Sequence, residues 1–356
     1  MLIRVVCHFG HFISTIHIVV IKEFPDLMTH SQTTLHPIWD EFPAIRKELQ
    51  GVLDRIEANL DANDADVEAA LIDMFSHGGK LLRPAFTILI GRFFPAEREP
   101  LLNLAATVEM LHTASLVHDD IIDDSPKRRH AESVQSRFGK DVAAYTGDYL
   151  FGVTFRTLAD NTNDINVVRM ATRYLERILS GELTQRTNHY KRDMTIANYE
   201  DQIAGKTAAL FVLAANLGIA ASHAPKDFAD LATDFAYNVG MAFQILDDLL
   251  DYSADSTTLG KPTLNDVREG VYSAPLIIAM QDNEEIQTLL AKGATISDDE
   301  AVHLGELVRA SGALAIAEDM AVAYTNTALE RLSDMPEHES KRILLSISQT
   351  LLTRND

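Results

Sequence analysis

Two aspartate-rich clusters are the features of this sequence that most directly indicate chemistry. Residues 119–124 read Asp-Asp-Ile-Ile-Asp-Asp, and residues 247–251 read Asp-Asp-Leu-Leu-Asp. On a helix, the first and last aspartates of such a spacing share a face and lie about 6 Å apart along the axis. Carboxylates held this close repel each other unless cations neutralise them. Since Mg²⁺ favours one or two carboxylates together with substrate phosphates, two such faces across a cavity predict a magnesium-held diphosphate.

Basic residues are also candidates for diphosphate binding, because the planar guanidinium of Arg and the ammonium of Lys bind phosphate oxygens. The candidates occur in four short segments: Gly78-Gly79-Lys80-Leu81-Leu82-Arg83-Pro84, Lys127-Arg128-Arg129, Lys206-Thr207 and Gly260-Lys261-Pro262. Lys80 and Arg83 become neighbours if a helix begins at the double glycine, where unpaired N–H groups also favour anions.

The elements that must position these residues are predicted to be helices. From about Trp39 onward, apolar residues recur at three- and four-residue spacing, and no stretch shows convincing strand alternation. Long periodic stretches cover 98–124, 140–160, 164–188, 196–222 and 227–253, and shorter ones cover 67–75, 271–292, 298–332 and 336–353. The pattern predicts a single all-α domain of ten or more helices.

Both aspartate clusters are predicted to lie at the C-terminal ends of helices. Ser125-Pro126 follows the first cluster, and a polar loop at 252–262 follows the second. Negative charge is unfavourable at that end of a helix dipole. Bound cations would offset this cost.

Composition limits the classes of partner. The 356 residues carry a formal net charge of -21, which argues against a nucleic-acid partner. The single cysteine, Cys7, leaves no intrachain disulfide and no cysteine-built zinc site. These features fit a cytoplasmic protein, with loose membrane association as an alternative.

The N-terminal stretch 1–21 is mostly apolar but is interrupted by Arg4 and three histidines. We interpret residues 1–27 as a leader or a mis-assigned start before Met28, and residues 28–356 as the domain. A membrane anchor is the first alternative. Metal binding by His8, His11 and His17 is the second, although their spacing matches no common site.

The ordered set of motifs resembles the trans-isoprenyl diphosphate synthases. It comprises Gly-Gly-Lys-x-x-Arg-Pro, then His-x5-His-Asp-Asp-x-x-Asp with Arg-Arg after it, then Lys-Thr-Ala, then Phe-Gln-Ile-x-Asp-Asp-x-x-Asp and Gly-Lys-Pro. The resemblance runs in order from about residue 65 to 275. It implies an isoprenoid-synthase fold with a central cavity between long helices, and a prenyltransferase that joins isopentenyl diphosphate to an allylic diphosphate.

The resemblance also implies roles for particular residues. Mg²⁺ ions would be held by Asp119, Asp120, Asp123, Asp247, Asp248 and Asp251. The allylic diphosphate would contact Arg128, Lys206 and Lys261. Isopentenyl diphosphate would contact Gly79, Lys80, Arg83, His112 and Arg129. Thr207 and Gln244 would line the reacting end of the allylic chain.

Product length is predicted from the helix that carries Asp119. One turn before it stand Ala114 and Ser115, and two turns before it stands Leu111. In the resembled family a large aromatic residue at this place gives short products. The small residues here imply a medium or long polyprenyl chain, of the kind used for quinone side chains.

Two departures from the resembled pattern bear on partners. His130 stands where glycine is usual, and residues 269–275 lack the usual lysine and threonine. We expect these departures to affect loop geometry or subunit contacts, without touching the metal and diphosphate set. The resemblance implies a homodimer, or else a heterodimer with a small regulatory subunit as in some bacterial heptaprenyl and hexaprenyl synthases.

Other interpretations remain for the same residues. The aspartates could form a solvated face or a calcium loop, although the central glycine and terminal glutamate of an EF-hand are absent. His112 could be a hydrogen-bonded core histidine, and for His118 we favour that structural role. A non-catalytic subunit would be expected to lose the aspartates or basic residues. A terpene cyclase would usually replace the second aspartate cluster.

Overall fold

The computed structural model describes residues 6–9, 12–15, 35–62, 64–76, 79–128, 131–253 and 264–352. The chain divides into two units, Met1–Thr34 and Leu35–Asp356. In the first unit, strands β1 (Val6–Phe9) and β2 (Phe12–Thr15) form an antiparallel hairpin in which Val6 lies opposite Thr15. The sequence did not predict this hairpin, because four-residue strands carry too few alternations to be recognised. The proposed boundary at residues 27 and 28 lies outside the described residues.

The second unit is helical, which confirms the predicted fold class. Its described helices are α1 (Pro43–Asn59), α2 (Ala65–Ser76), α3 (Leu82–Gly91), α4 (Arg98–Ile122), α5 (Val134–Phe138), α6 (Lys140–Asp160), α7 (Ile165–Thr187), α8 (Ile196–Ile203), α9 (Ala209–Ser222), α10 (Lys226–Ser253), α11 (Asn265–Glu269), α12 (Ala274–Ala279), α13 (Glu284–Leu290), α14 (Asp298–Ala310), α15 (Ala313–Ser333) and α16 (Glu339–Leu352). A short ribbon, β3 (Lys127–Arg128) with β4 (Ala131–Glu132), follows α4.

Several helices begin at a residue whose side chain caps the first turn. The side chain of Asp164 accepts a hydrogen bond from the backbone N–H of Asn166 at the start of α7. Thr195 and Asn198 form a reciprocal capping box at the start of α8. Such caps satisfy N–H groups that the helix itself leaves unpaired, so they fix the starting residue.

Three predicted helices are interrupted. The stretch 196–222 contains a π-helical segment, Ala204–Ala208, between α8 and α9. The stretch 271–292 is divided between α12 and α13, where Asn283 caps the second helix. The stretch 298–332 breaks at Gly312, whose φ of 79° is a left-handed conformation that glycine adopts without strain. Periodicity alone misses such breaks, since apolar spacing continues across them.

The core forms around α4 and α10. Helix α4 packs against α1, α3, α6 and α9, while α10 packs against α9 and α15. Phe86 of α3 stacks on Phe235 of α10 with ring centroids 5.6 Å apart. Helices α3 and α9 approach so closely that a Cβ on Gly218 would lie 2.4 Å from the carbonyl oxygen of Thr87. These contacts fix the helix ends that carry the aspartate clusters.

One stretch of the described chain, Ile196–Ser222, is long and apolar enough to cross a membrane by length and composition. Within the protein, however, 78% of its most apolar window is buried. Its hydrophobicity therefore serves the packing of the second unit.

Candidate active site

The first aspartate cluster lies at the C-terminal end of α4, as the sequence predicted. Asp119 and Asp120 occupy the last turn, and Asp123 is the C-cap residue. Asp124 has a φ of 52°, so the helix cannot continue past it. Asp119 is half-buried and Asp123 is exposed.

Asp120 is held by Arg128 of β3. The guanidinium donates from Nε to Oδ1 of Asp120 over 2.9 Å, and Nη2 donates to the same oxygen. The second oxygen, Oδ2, is buried and has no hydrogen-bond partner among the described residues. Burial raises the pKa of Asp120, and the ion pair with Arg128 opposes this effect. Arg128 thus lies beside a carboxylate of the first cluster, and Arg129 lies outside the described residues.

The second aspartate cluster lies in the last two turns of α10, with Asp248 at the centre of a hydrogen-bond network. Tyr199 donates its hydroxyl to Oδ2 of Asp248 over 2.6 Å, and Gln244 donates its amide to Oδ1 over 2.8 Å. Thr207 in turn donates to the amide oxygen of Gln244 over 2.6 Å. The network fixes the orientation of a carboxylate that would otherwise rotate freely.

Asp247 is exposed and Asp251 is half-buried on the same helical end. Both make interactions within the protein. Neither is among the described residues that line the cavity of Asp248, so their metal-binding role stays a prediction.

One cavity of about 520 Å³ joins the two clusters. Asp119 and Asp123 line it from α4, and Gln244 and Asp248 line it from α10. Lys206, from the π-helical segment, lines it as well. The clusters therefore face a shared space of the size that encloses a small ligand.

The cavity destabilises negative charge. Burial, followed by the charge of Glu182, raises the pKa of Asp119 to about 6, although Lys206 opposes the shift. Burial raises the pKa of Asp248 to about 7, against the hydrogen bonds from Tyr199 and Gln244. Strong pKa shifts within a cavity are typical of functional sites, and here burial is the main cause of both.

Lys206 is positioned by helix α7. Its Nζ lies 3.4 Å from Oε2 of Glu182 and donates to Oε1 of Gln185 over 3.1 Å. Burial alone would lower the pKa of Lys206, but Glu182 and Asp119 together raise it. A cation that stays charged is therefore present at the cavity wall. Lys261 lies outside the described residues.

Divalent metal ions fit this donor set in combination with a ligand. Oδ2 of Asp120 is buried without a hydrogen-bond partner among the described residues, and burial raises the pKa of Asp119 and of Asp248. Among the described residues, no three histidine, cysteine, aspartate or glutamate side chains come together closely enough to hold a metal ion by themselves. Hard oxygen donors that need phosphate oxygens to complete the coordination match the behaviour of Mg²⁺.

A second group of candidate anion-binding residues lies where α3 begins. Nη1 of Arg83 lies 3.2 Å from Nε2 of His112, and its guanidinium lies 4.9 Å from the ring centroid of Phe211. Gly79 and Lys80 are half-buried, and the carbonyl of Lys80 accepts a hydrogen bond from the indole of Trp39 over 2.6 Å. The helix begins at Leu82, so the condition under which Lys80 and Arg83 would be neighbours on one helix is not met. The left-handed backbone of Leu81, with a φ of 49°, separates Lys80 from the helix.

The predicted chain-length residues lie inside α4. Leu111 and Ala114 are buried, and Ser115 donates its hydroxyl to the carbonyl of His112 over 2.8 Å. None of the three belongs to the lining of the 520 Å³ cavity. Their role in product length stays a prediction.

His118 makes structural contacts. Its Nδ1 lies 2.9 Å from the carbonyl oxygen of Ala114, and its Nε2 lies 3.2 Å from a carboxylate oxygen of Asp148. The ring stacks on Phe151, and a Cβ on Gly147 would lie 2.2 Å from it. These contacts agree with the structural role that the sequence favoured.

Several lining residues were not singled out from the sequence. They include Glu182, Gln185, Arg186, His189, Tyr199 and Asp266. The segment 269–273 was expected to act only through loop geometry or subunit contacts, yet it forms part of the cavity wall. Its proximity depends on how α11 and α12 fold back, which local patterns do not reveal.

Comparisons with known proteins identify the family of this chain. Residues 64–307 match the family described as polyprenyl synthetase. The chain is 32% identical over 330 residues to an all-trans-nonaprenyl-diphosphate synthase (geranyl-diphosphate specific) of Rhodobacter capsulatus, covering 91% of this chain and 98% of the relative.

Solved structures show the same fold. A geranylgeranyl pyrophosphate synthase from Lactobacillus brevis superimposes with a TM-score of 0.85 at 33% identity, covering 89% of this chain and 99% of the other. A polyprenyl synthase from Caulobacter crescentus, complexed with calcium and isoprenyl diphosphate, does so with a TM-score of 0.81 at 27% identity, covering 90% and 97%. With the family matched across both aspartate clusters and the cavity between them, this chain belongs to the polyprenyl synthetase family.

Proposed function

We propose that this prenyltransferase condenses isopentenyl diphosphate with an allylic diphosphate in the presence of Mg²⁺ and releases an all-trans polyprenyl diphosphate. The observation that carries the proposal is the shared cavity, which Asp119 and Asp123 line from one helix and Asp248 lines from another. Lys206 lies on the same lining and supplies a fixed positive charge. Acidic walls can hold a diphosphate only together with cations. Those cations stabilise the departing diphosphate, so the cavity is suited to ionising an allylic diphosphate.

The chemistry follows from where charge develops. Cleavage of the carbon–oxygen bond leaves negative charge on the diphosphate and positive charge on the allylic carbon. Bound Mg²⁺ ions supply Lewis-acid stabilisation of the departing diphosphate. Lys206 holds the same group from the π-helical segment, and its position beside Glu182 and Gln185 is preorganised.

The positive carbon is met by oxygen dipoles. Thr207 and Gln244 lie in hydrogen-bond contact near Asp248, and their oxygen atoms present partial negative charge. Such groups stabilise a cation without forming a covalent bond to it. No nucleophilic side chain is required, since the double bond of isopentenyl diphosphate attacks the carbon and the proton then leaves to the released diphosphate.

The second substrate is assigned to the group around α3. Arg83 and His112 lie within hydrogen-bond distance of each other, and Arg83 is further steadied by the face of Phe211. A planar guanidinium fixed in this way is suited to binding a diphosphate. Lys80 and Gly79 extend the same surface towards solvent.

The proposal also covers the length of the product, the cellular location of the protein and its oligomeric state. Small residues before Asp119 support a medium or long product for a quinone side chain. The single cysteine, Cys7, supports a cytoplasmic protein. A homodimer is favoured by the outer face of α6, where Tyr145 is 77% exposed and a Cβ on Gly152 would meet nothing within 4 Å. A small regulatory partner is the alternative.

The test is a turnover assay. Purified protein is incubated with Mg²⁺, farnesyl diphosphate and labelled isopentenyl diphosphate, and acid-labile products are separated by chain length. Elongated polyprenyl diphosphates support the proposal. Activity that appears only with a cell extract would show a partner-dependent subunit, a cyclic hydrocarbon would show a terpene cyclase, and no turnover in any condition would refute catalysis.

A further inference from the structure

The cavity between the aspartate clusters has a strong excess of negative side chains. Its lining carboxylates are Asp119, Asp123, Glu182, Asp248, Asp266 and Glu269. Among the described lining residues, only Lys206 and Arg186 carry a permanent positive charge. Lys206 already lies 3.4 Å from a carboxylate oxygen of Glu182, so part of its charge is compensated within the protein.

Among the described lining residues, Arg186 is the cation that remains available. It stands in the last turn of α7, next to Gln185, and its side chain is exposed at the cavity. Within the part of the chain that the structure describes, it makes no ion pair. Its guanidinium offers several N–H donors in a planar fork, a geometry that matches two phosphate oxygens at once.

The cavity wall formed by residues 269–273 cannot supply this positive charge. Glu269, Val271, Tyr272 and Ser273 line it, and none of them is a cation. Val271 occupies a segment in which the resembled sequences commonly have a lysine. Among the described lining residues, the positive charge at this end of the cavity therefore comes from the α7 side.

The two walls are tied together by Tyr190, which immediately follows α7 and its C-terminal turn. Its backbone N–H donates to the carbonyl of Gly270 over 2.9 Å, and its hydroxyl donates to the carbonyl of Arg268 over 2.7 Å. Tyr190 packs so tightly that a Cβ on Gly270 would lie 2.7 Å from its ring. These contacts fix the segment of Val271 beside the end of α7.

We infer that Arg186 binds the allylic diphosphate together with Lys206, and that it replaces a cation absent from the Val271 wall. The inference rests on the proposed function and adds a binding residue to it. A purely structural role is the competing explanation, because a cation in the last turn of a helix also stabilises the helix dipole. The two roles differ in what a neutral substitution changes, namely ligand affinity or thermal stability.

The experiment measures binding of inorganic pyrophosphate in excess Mg²⁺ by calorimetry. Arg186→Gln is expected to weaken binding about tenfold, as for loss of a hydrogen bond to a charged group, while the melting temperature stays within about two degrees. Arg173→Gln is the matched control, since Arg173 is exposed on the same helix and does not line the cavity. The control is expected to bind like the wild type.

A second variant tests whether a cation on the wall that contains Val271 can replace Arg186. Adding Val271→Lys to Arg186→Gln is expected to restore most of the lost affinity, because a lysine there places a cation at the same end of the cavity. Wild-type affinity in Arg186→Gln, an equal loss in Arg173→Gln, or no recovery in a folded double variant would overturn the inference. A wild-type protein that fails to bind pyrophosphate would instead overturn the proposed function itself.

Discussion

At the scale of single residues, the site is built from carboxylates that are unfavourable in the absence of a ligand. Asp119 is half-buried near Glu182 and Asp123, and its pKa is raised to about 6. Because the pKa of Asp119 in the folded state lies above its unfolded value, its negative charge lowers the stability of the folded protein, and this cost is absent at low pH. It grows as the pH rises from the unfolded pKa through about 6, and it is fully present at pH 8.

Removing that charge is predicted to stabilise the ligand-free protein. A shift of this size corresponds to at most about 3 kcal/mol at pH 8, so Asp119→Asn should melt a few degrees higher than the wild type. The same variant should lose the stabilisation that Mg²⁺ with pyrophosphate gives to the wild type. Thermal denaturation with and without these ligands measures both effects.

Asp160→Asn is the control for this prediction, since Asp160 also lies at a helix C-terminal end but is exposed outside the cavity. It should melt close to the wild type and keep the ligand response. If Asp119→Asn melts lower than the wild type and still responds to the ligands, Asp119 is not a strained metal ligand.

Tyr199 is predicted to position Asp248. Its hydroxyl is buried and donates to Oδ2 of Asp248, and burial together with Asp248 raises the pKa of Tyr199 well above its usual value, so the donor stays protonated. Tyr199→Phe removes the donor and keeps the ring. The Mg²⁺ concentration for half-maximal activity is expected to rise 10- to 100-fold, as for other residues that orient metal ligands.

Tyr324→Phe provides the comparison, because Tyr324 donates its hydroxyl to Glu200 over 2.9 Å and does not line the cavity. It loses a hydrogen bond of similar strength without affecting Asp248. An equal Mg²⁺ requirement in the two variants would contradict the positioning role.

At the scale of elements, helix α4 joins the metal site to the predicted path of the product. Ala114 is fully buried, five residues and about 7.5 Å along the axis from Asp119. If the prenyl chain grows along this helix, Ala114→Phe obstructs it and shortens the product, and Ala114→Leu has a smaller effect. Chromatography of dephosphorylated products gives the chain length. Unchanged products from folded, active variants would show that the chain grows elsewhere.

The crossing of α3 and α9 is predicted to be a critical contact for stability. A Cβ on Gly218 would lie 2.4 Å from the carbonyl oxygen of Thr87 and 2.9 Å from the backbone nitrogen of Gly91. Gly218→Ala must push the two helices apart, which should reduce the free energy of unfolding by roughly 1–3 kcal/mol. Within one copy of the chain, a Cβ on Gly152 meets nothing within 4 Å, so Gly152→Ala should be neutral or stabilising by up to about 1 kcal/mol when it is compared under conditions that keep the protein monomeric. Denaturant unfolding compares the two, and equal stabilities would contradict the close packing.

At the scale of the whole molecule, the proposed dimer places α6 at the interface. Tyr145 and Gly152 are seven residues apart, hence on one face, and both are exposed. Tyr145→Asp introduces a charge that would be buried by a second copy, and it should shift the protein to monomers in analytical ultracentrifugation. Val322→Asp alters another exposed apolar residue, on α15, and should leave the mass unchanged. A monomeric wild type, or a dimeric Tyr145→Asp variant, would refute this interface.

The sequence by itself determined the helical class and predicted the chemistry of the clusters. Apolar spacing predicted α4, α6, α7 and α10 with ends within a few residues of those observed, because a long helix repeats its pattern over many turns. Aspartates at i, i+1 and i+4 indicated metal-assisted diphosphate binding, since that pattern is costly without cations.

Only the tertiary structure decided which residues share the cavity. Tyr199 reaches the cavity from α8, and Arg186 reaches it from the end of α7. The segment 269–273 reaches it because it lies between α11 and α12, at the end of α7. Likewise, the start of α3 at Leu82 depends on a left-handed residue and on the indole of Trp39 bound to the carbonyl of Lys80. Local periodicity contains no information on contacts between residues far apart in the chain, and those contacts set the charge balance of the site.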